Sequence, residues 1–513
     1  MVMKRISTIF LLILVLLSLN TCNDKTTSAV DNTYTYHLTR EELDERLENA
    51  KMSILLGGID EIEIPKLYPN ATLLTYSSNA DKLFALLSGK VDYAICSTSQ
   101  ALLYTRNNNY EFEYCDVPLY TMGNAFALKE GNIGLKDKID ACIKILREDG
   151  TLEKLNNKWV IEGNYTMDDV PYISDETAEV LRVGTDCASE PFSFIYNGKP
   201  AGHDVELISR IAYMLGMRIE FSQMSFSSTI VSVMSDKTDV ALNVTPTTER
   251  DEEVDFSDVY YDANIVVLSR KEGASSSIFG NLKDSFISTF INENRWMMFI
   301  EGIKVTLTIS IFSFVFASLV GVALCMMSLS KNKLLNKLAF LYIKIATTIP
   351  ILVWLMLLYY VVFKGVNISS IIVSIIAIGL QSGASLSGIF KTGIDSIDIG
   401  QKEAAEALGF NNFKIYTKII IPQAILRIFD LYKGEFVSLV KTTSIVGYIA
   451  INDITKVSDL IRSRTYEAFF PLIATALIYF GITFLIVSLL NIVQKKINPK
   501  LRKTVLKGVQ IHD

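Results

Sequence analysis

Apolar residues are distributed unevenly along this chain. In the C-terminal part, four apolar runs are long enough to cross a bilayer as helices: Val305–Ser330, Ile345–Phe363, Gly365–Phe390 and Ala468–Gln494. A fifth stretch, about Leu431–Ile451, carries Lys433, Glu435 and Lys441, and hydropathy alone would rank it low as a span. The pattern therefore predicts a helical membrane domain over residues 301–495.

The sequence before the membrane domain has a different pattern, in which strand-length apolar runs alternate with helical ones. It occupies residues 31–163 and 178–270, and Leu181–Asp186 is typical of a buried strand. Strand–helix alternation predicts α/β lobes. Residues 164–177 are expected to link the two segments, and residues 271–300 to form a linker and interfacial segment.

The first 22 residues form a third pattern. A basic start with Lys4 and Arg5 precedes the apolar run Ile9–Leu19, which is typical of a secretory signal peptide. The following Cys22 resembles a lipoprotein cleavage site, at which Cys22 becomes the lipidated N-terminus. The alternative is an uncleaved signal anchor, and both place the next segment outside the cytoplasm.

The distribution of charge indicates how the chain is oriented in the membrane and gives no sign of a nucleic-acid partner. The net charge is −6, and half of the residues are hydrophobic, which suits a membrane protein. Lysines cluster in the loop 331–337, around Glu403 and in the basic tail 496–513. With five spans and an outside N-terminus, the positive-inside rule places all three in the cytoplasm. We expect a multi-pass protein of the bacterial cytoplasmic (inner) membrane whose N-terminal domain is extracytoplasmic.

Catalytic and metal-binding motifs are missing from the sequence. It contains no phosphate-binding G-x-x-x-x-G-K-[ST] loop, no H-E-x-x-H or G-x-S-x-G motif, and no C-x-x-C spacing. We therefore predict a transporter subunit rather than an enzyme, with no catalytic residue, metal or bound cofactor. A disulfide among Cys96, Cys115 and Cys142 is possible outside the cytoplasm.

A motif near the C-terminus identifies a family. Its anchor residues, spaced as E-A-A-x3-G-x9-I-x-[LI]-P, are Glu403, Ala404, Ala405, Gly409, Ile419 and Pro422. The motif resembles the cytoplasmic coupling loop of bacterial ABC-importer permeases. Gly409 is expected to break the first helix, and Pro422 to stop the second segment. The resemblance implies five spans, a separate ABC ATPase dimer that uses ATP, and a second permease copy, most simply a homodimer.

Further matches extend that resemblance to the polar-amino-acid branch of these permeases, glutamine- or histidine-type, over about residues 295–495. They are Gly302–Leu307, Thr347–Pro350 and Ser444–Tyr448. The Arg-Gly pair that often precedes the Thr-Pro of the family is replaced here by Ala346–Ile349.

The extracytoplasmic segments resemble an amino-acid solute-binding protein, but in reversed order. Residues 178–270 look like the first lobe of that family, and residues 31–163 look like the other lobe with its C-terminal helix at Lys158-Trp159. We interpret them as one circularly permuted, α/β two-lobed periplasmic-binding-protein-like domain. The competing interpretation is two truncated receptors, each of which needs a partner.

The resemblance also implies a ligand site. Arg250, in Thr-x-Thr-Thr-Glu-Arg, matches the arginine that grips the α-carboxylate of the ligand. The other positions that match the pocket are Asn243, Thr245, Phe226, Asp186, Ser97 and Gly58. Ser97 stands where an Asp usually holds the ligand ammonium, Gly58 replaces a common Thr, and Ser189 replaces an aromatic residue. The ligand could carry its ammonium elsewhere, lack one, or use Asp186.

The combined hypothesis is a receptor fused to the permease of an ATP-driven importer for polar amino acids or related small carboxylates. The alternative is a ligand-gated channel or a ligand-sensing receptor that uses the same two-lobed domain. A channel needs a carbonyl selectivity filter, of which Val446-Gly447-Tyr448 is only a faint echo.

Overall fold

The computed structural model describes residues 35–106, 112–167, 170–248, 250–271, 282–366, 368–465, 467 and 470–497. The predicted signal peptide with Cys22 and most of the basic tail lie outside these ranges. All five described cysteines, Cys96, Cys115, Cys142, Cys187 and Cys325, are buried free thiols, so the possible disulfide does not form.

Strands and helices alternate in the part of the chain before residue 271, as its apolar pattern predicts. The strands are β1 (Thr35–Tyr36), β2 (Lys51–Leu55), β3 (Thr72–Tyr76), β4 (Tyr93–Ser97), β5 (Phe112–Cys115), β6 (Tyr120–Lys129), β7 (Val180–Thr185), β8 (Ala188–Ser189), β9 (Ser193–Tyr196), β10 (Lys199–Ala201), β11 (Arg218–Gln223), β12 (Val240–Val244), β13 (Val254–Phe256) and β14 (Tyr261–Arg270). The helices are α1 (Arg40–Leu47), α2 (Asp60–Leu67), α3 (Asn79–Leu87), α4 (Thr98–Arg106), α5 (Ile133–Glu148), α6 (Thr151–Asn156), α7 (His203–Met214) and α8 (Phe226–Met234). A π-helical turn, Asn157–Glu162, extends α6.

These elements form two lobes. Lobe A is built on the parallel strands β3, β2 and β4, and lobe B on the parallel strands β11, β7 and β12. Two long strands, β6 and β14, cross between the lobes. Their first halves pair with each other, while β6 continues onto β12 and β13 and β14 continues onto β4. The two lobes therefore share one continuous sheet.

Each lobe has its own apolar core, and each core draws on both predicted segments. In lobe B, Phe126 and Trp159 pack with Leu181 and Phe194. In lobe A, Met52 packs with residues of β14. The lobe boundaries therefore fall inside the segments 31–163 and 178–270, because the helices after β6 cover the sheet of lobe B.

The membrane part is helical. Its helices are α9 (Leu282–Phe286), α10 (Arg295–Ser328), α11 (Lys333–Thr348), α12 (Ile351–Met356), α13 (Ser370–Asp395), α14 (Ile399–Ala407), α15 (Asn412–Ile415), α16 (Ile421–Thr442), α17 (Ile454–Thr465) and α18 (Phe470–Ile497). Non-α turns adjoin them at Ile287–Ile291, Asn292–Asn294, Leu357–Val362, Tyr416–Ile420 and Thr443–Ile449.

By length and composition, three segments of the described chain can each cross a membrane: Ile287–Ser328, Ser370–Asp395 and Phe470–Ile497. The number rises to five if each of two bent helix pairs counts as one span. The predicted second span, Ile345–Phe363, is not one straight helix. It breaks before α12, where Pro350 has no amide hydrogen to donate and the chain bends by 108°. The predicted loop 331–337 is also partly helical, since α11 begins at Lys333.

Candidate functional site

A cavity of about 70 Å³ lies in the cleft between the lobes. The structure brings six of the seven sequence-predicted ligand residues to its wall. Gly58 and Ser97 come from lobe A, and the residues from lobe B are Phe226, Asn243, Thr245 and Arg250. The cavity forms where β4 and β12 end beside the paired first halves of the crossing strands β6 and β14. Buried polar groups at such a point can orient a small ligand.

Arg250 joins the two walls of the cleft. Its Nη1 donates a hydrogen bond to the Thr245 carbonyl at 2.9 Å, and its Nη2 donates one to the Gly57 carbonyl of lobe A at 2.7 Å. The guanidinium therefore bridges the lobes, and the cleft is closed in this structure. A planar, always charged group in this place suits a carboxylate ligand.

Asp186, the seventh predicted residue, lies elsewhere. It lines a second cavity of about 210 Å³, which separates the two lobes from the turn after α16 and from α17. Its carboxylate accepts hydrogen bonds from Ser189 Oγ at 2.8 Å and the Ala188 amide at 3.2 Å. Burial raises the pKa of Asp186. The two cavities share Leu55, Asn79 and Phe226 in their walls.

Sequence reasoning missed two ionisable residues of the cleft, Asp60 and Lys82. Lys82 lies on the buried face of α3, and its Nζ donates a hydrogen bond to the Ile95 carbonyl at 2.7 Å. Asp60 begins α2 and accepts a hydrogen bond from the Tyr120 hydroxyl at 2.5 Å. Burial lowers the pKa of Lys82 and raises the pKa of Asp60. The sequence signal was a lysine on the apolar face of an amphipathic helix.

Two buried amides also line the cavity. Asn124 donates a hydrogen bond through Nδ2 to Asn243 Oδ1 at 2.8 Å, but its own Oδ1 has no hydrogen-bond partner among the residues that the structure describes. The same is true of Asn79 Oδ1. A buried acceptor without a donor is costly, so both oxygens are suited to receive donors from a ligand.

A second group of charged residues joins the receptor to the membrane part. Arg464 of α17 pairs with Glu190 of the receptor at 2.5 Å and with Glu293 at 2.9 Å. Its guanidinium lies against the rings of Tyr165, Phe194 and Tyr196. We call these residues the Arg464 cluster.

Further contacts support the same interface. Arg462 bonds Asp81 of lobe A, while Lys456 Nζ donates to the Met224 carbonyl of lobe B at 3.1 Å. Lys237 of lobe B reaches the Phe363 carbonyl at 2.5 Å. Helix α17 therefore touches both lobes and also lines the second cavity.

The residues Glu403–Pro422 form a helical hairpin at another edge of the membrane part. Ala405 is buried against Ile397, Ile415 and Ile420, while Glu403 and Ala404 are exposed. Gly409 has φ +79 directly after the end of α14, as the predicted helix break requires. Ile419 is half-buried against the same cluster.

Pro422 does not stop the second segment, contrary to the prediction. The chain stays helical from Asn412 to Ile449, and Pro422 lies in the first turn of α16. A π-helical turn, Tyr416–Ile420, precedes it. In the first turn of an α-helix the backbone amides have no acceptor within that helix, so a proline, which lacks the amide hydrogen, loses no intrahelical hydrogen bond there.

A two-lobed cleft that rests on apolar helices of the same chain defines a solute receptor coupled to a membrane permease. The chain belongs to the bacterial extracellular solute-binding proteins, family 3, whose sequence model matches residues 181–511. Its resemblance to a polar amino-acid ABC importer, with a solute-binding protein fused to a permease subunit, is confirmed by relatives of both kinds.

Among the permeases, the putative glutamine transport system permease protein GlnP of Rickettsia bellii (strain RML369-C) is 32% identical over 203 residues, covering 39% of this chain and 93% of that protein. The nopaline transport system permease protein NocM of Agrobacterium fabrum is 32% identical over 218 residues, covering 40% of this chain and 90% of that protein. A crystal structure of an amino acid ABC transporter with histidines is 33% identical over 39% of this chain and 94% of that chain, with a TM-score of 0.37.

Proposed function

We propose that this chain is the receptor–permease subunit of an ATP-driven importer of polar amino acids or related small carboxylates in the bacterial inner membrane. One observation carries the proposal. A cleft lined by Arg250 lies between the two lobes, and α17 of the permease contacts both lobes through Arg462 and Lys456. Opening of the lobes would therefore release the ligand beside the membrane helices.

In this proposal the two extracytoplasmic segments form one circularly permuted receptor. Support comes from β6 and β14, which belong to different segments and pair with each other. Trp159 of the first segment also donates a hydrogen bond to Glu206 of the second at 2.8 Å. Two truncated receptors would have no reason to share a sheet and a core. Residues 1–22 would direct this domain across the membrane, with Cys22 lipidated.

A separate ABC ATPase dimer would dock on Glu403–Pro422 and use ATP, with no cofactor on this chain. Leu408 and Phe413 support this role, since they are 78% and 76% exposed on the same hairpin. Exposed apolar side chains in one place are typical of a binding surface. A ligand-gated channel would have no use for this hairpin. A second copy of the chain would complete the translocation pathway.

The test is to replace Glu403 by Ala and Gly409 by Val together. Valine at a φ of +79 is strained, so the hairpin should lose its shape. We expect uptake of radiolabelled amino acids by cells to fall at least about tenfold while ligand binding by the purified chain is unchanged. Glu301→Ala with Gly388→Ala is the matched control, because Glu301 is exposed and Gly388 has open space around it. Wild-type uptake by the Glu403/Gly409 variant would refute the coupling role.

A further inference from the structure

The cleft contains a cation in a place where the resemblance implies an acid. The family's ammonium-binding Asp is Ser97 here, while Lys82 lines the same cavity and is only 2% exposed. A lysine ammonium has three donors, and one of them is used on the Ile95 carbonyl. Among the ion pairs of the described residues, none includes Lys82. Asp60 acts on Lys82 through its charge but makes no ion pair with it. A buried ammonium without a direct acidic partner is expensive unless something else supplies the negative charge.

Only three charged residues line the described wall of the cavity: Asp60, Lys82 and Arg250. Their charges sum to one positive charge when all are ionised. The sum is the same when Lys82 and Asp60 are both neutral, the direction in which burial moves each pKa. A closed cleft excludes water, so a ligand with one net negative charge neutralises it. A zwitterion with no net charge leaves a buried cation behind.

The positions of these charges further restrict the chemical class of the ligand. Arg250 belongs to lobe B and Lys82 to lobe A, so an anion with two separated carboxylates can engage both lobes and favour closure. The cavity also offers acceptors: the Asp60 carboxylate and the Oδ1 atoms of Asn79 and Asn124, which have no hydrogen-bond partner in the described part of the chain. These suit an ammonium, which is donor-only.

We infer that the ligand is an acidic amino acid, with one carboxylate on Arg250, the second on Lys82, and the ammonium among Asp60, Asn79 and Asn124. The inference rests on the proposed function and names its substrate class. It makes Lys82 and Asp60 the residues that determine specificity, because Asp60 supplies the acid that the cleft lacks at Ser97 and Lys82 supplies a second cation.

The first experiment needs no substitution. The full-length chain is purified in lipid nanodiscs and titrated by calorimetry with L-glutamate, L-aspartate, L-glutamine and 2-oxoglutarate. We expect glutamate or aspartate to bind at least about tenfold more tightly than glutamine, which lacks the second charge, because hydrogen bonds to charged groups have this magnitude. We expect a similar margin over 2-oxoglutarate, which lacks the ammonium.

Two variants assign the effect to residues. Lys82→Met should bring the glutamate-to-glutamine preference to within about twofold, and Asp60→Asn should do the same for glutamate over 2-oxoglutarate. Lys90→Met is the control, because Lys90 is exposed just beyond α3. If Lys82→Met fails to fold, as judged by its thermal melting, the wild-type titrations still decide.

The outcomes separate this inference from the proposed function. If wild-type protein binds glutamine as tightly as glutamate, or if Lys82→Met leaves the preference unchanged, the acidic-ligand inference is wrong while the importer proposal stands. If none of the four probes nor any other standard amino acid binds, the proposed function itself fails.

Discussion

The ligand cleft and the interface between receptor and permease both bury charged side chains, yet they satisfy them differently. In the Arg464 cluster, one guanidinium meets two carboxylates at 2.5 and 2.9 Å and packs against three rings. In the cleft, Lys82 has a single carbonyl acceptor, and two amide oxygens have no partner within the described residues.

This difference indicates which region is fixed and which is built to receive something. A buried network of paired charges is rigid, because any rearrangement strands a charge. A cleft with unmet donors and acceptors gains most when a ligand supplies the missing groups. We therefore expect the Arg464 cluster to hold the two lobes on the membrane helices, and the cleft to change when it binds a ligand.

The largest effect should come from Arg464→Met, which breaks the satisfied network. It would remove the cation that pairs with Glu190 at 2.5 Å, while Glu293 would keep its pair with Arg295, and we expect a cost of about 3–5 kcal/mol. We expect uptake to be lost and hydrogen–deuterium exchange to rise in α17, while calorimetry on the purified protein still shows ligand binding.

Lys199→Met is the control for this substitution, because Lys199 is exposed on β10. A variant at Arg464 that transports normally, with unchanged exchange in α17, would show that the network does not hold the receptor in place. If the variant at Arg464 melts normally but no longer binds ligand, the interface and the ligand cleft do not act as separate regions.

The second-largest effect is expected from Arg250→Ala, which tests the ligand cleft. Arg250→Ala should weaken ligand binding by about 2–5 kcal/mol, since a carboxylate in the closed cleft would lose its charged partner. Stability without ligand should hardly change, because the hydrogen bonds of Arg250 to Thr245 and Gly57 go to neutral carbonyls. Calorimetry and thermal melting measure the two quantities separately.

Arg218→Ala is the matched control, because its contact with Glu220 is long, at 3.9 Å. If the variant at Arg250 melts well below wild type and binds ligand normally, Arg250 is a structural link between the lobes and not a ligand residue.

The contrast between Arg250 and Lys82 also shows how far sequence reasoning reaches. Arg250 lies in a local motif, so its place in the cleft could be predicted from the chain alone. Lys82 lies in an ordinary amphipathic helix, and the periodicity of α3 cannot say that this lysine faces a cavity. Its environment depends on Asp60 and Ile95, which lie on other elements of lobe A and meet it only when that lobe folds.

The same limit applies to the larger architecture. The two segments and most strands follow from local hydrophobic pattern, but the crossing of β6 and β14 between lobes depends on pairing across more than one hundred residues. Pro422 was expected to end a helix by the usual rule, yet it lies in the first turn of α16, where a proline is tolerated.

A third test concerns the contact between the two segments of the receptor. Lys158 and Trp159 donate to Glu206 Oε2 at 2.6 and 2.8 Å, and Arg210 donates to Oε1 at 2.6 Å. Burial alone would raise the pKa of Glu206, but these hydrogen bonds together lower it. Glu206→Gln should therefore destabilise the protein by about 1.5–3 kcal/mol at neutral pH, as measured by thermal melting.

The pH dependence has a definite sign. Because the folded-state pKa of Glu206 is lowered, its stabilisation is complete above the unfolded-state pKa and is lost as the pH falls through the folded value. The gap between wild type and Glu206→Gln should thus narrow in acid. Glu220→Gln, at an exposed carboxylate, should show no gap at any pH. Equal stability of the Glu206 variant and wild type at neutral pH would weaken the case for one permuted receptor.

The smallest effect is expected from Gly302→Ala, which should move α17 at the interface between lobes and membrane helices without removing any charged side chain. A Cβ on Gly302 of α10 would lie 3.2 Å from the backbone of Asp453 and Ile454, where α17 begins. Gly302→Ala should cost about 1 kcal/mol and displace α17 slightly. In Gly434→Ala, the control, the new methyl group meets open space.

The ion pairs of Arg464 are short and its guanidinium is packed against three rings. A displacement of α17 by a few tenths of an ångström should therefore lengthen these ion pairs and slow uptake. Ligand affinity should stay at the wild-type value, since the cleft is lined by other elements. If Gly302→Ala instead leaves uptake intact, the interface tolerates movement. The receptor would then be held by many weak contacts, and the Arg464 cluster would not be what makes the interface rigid.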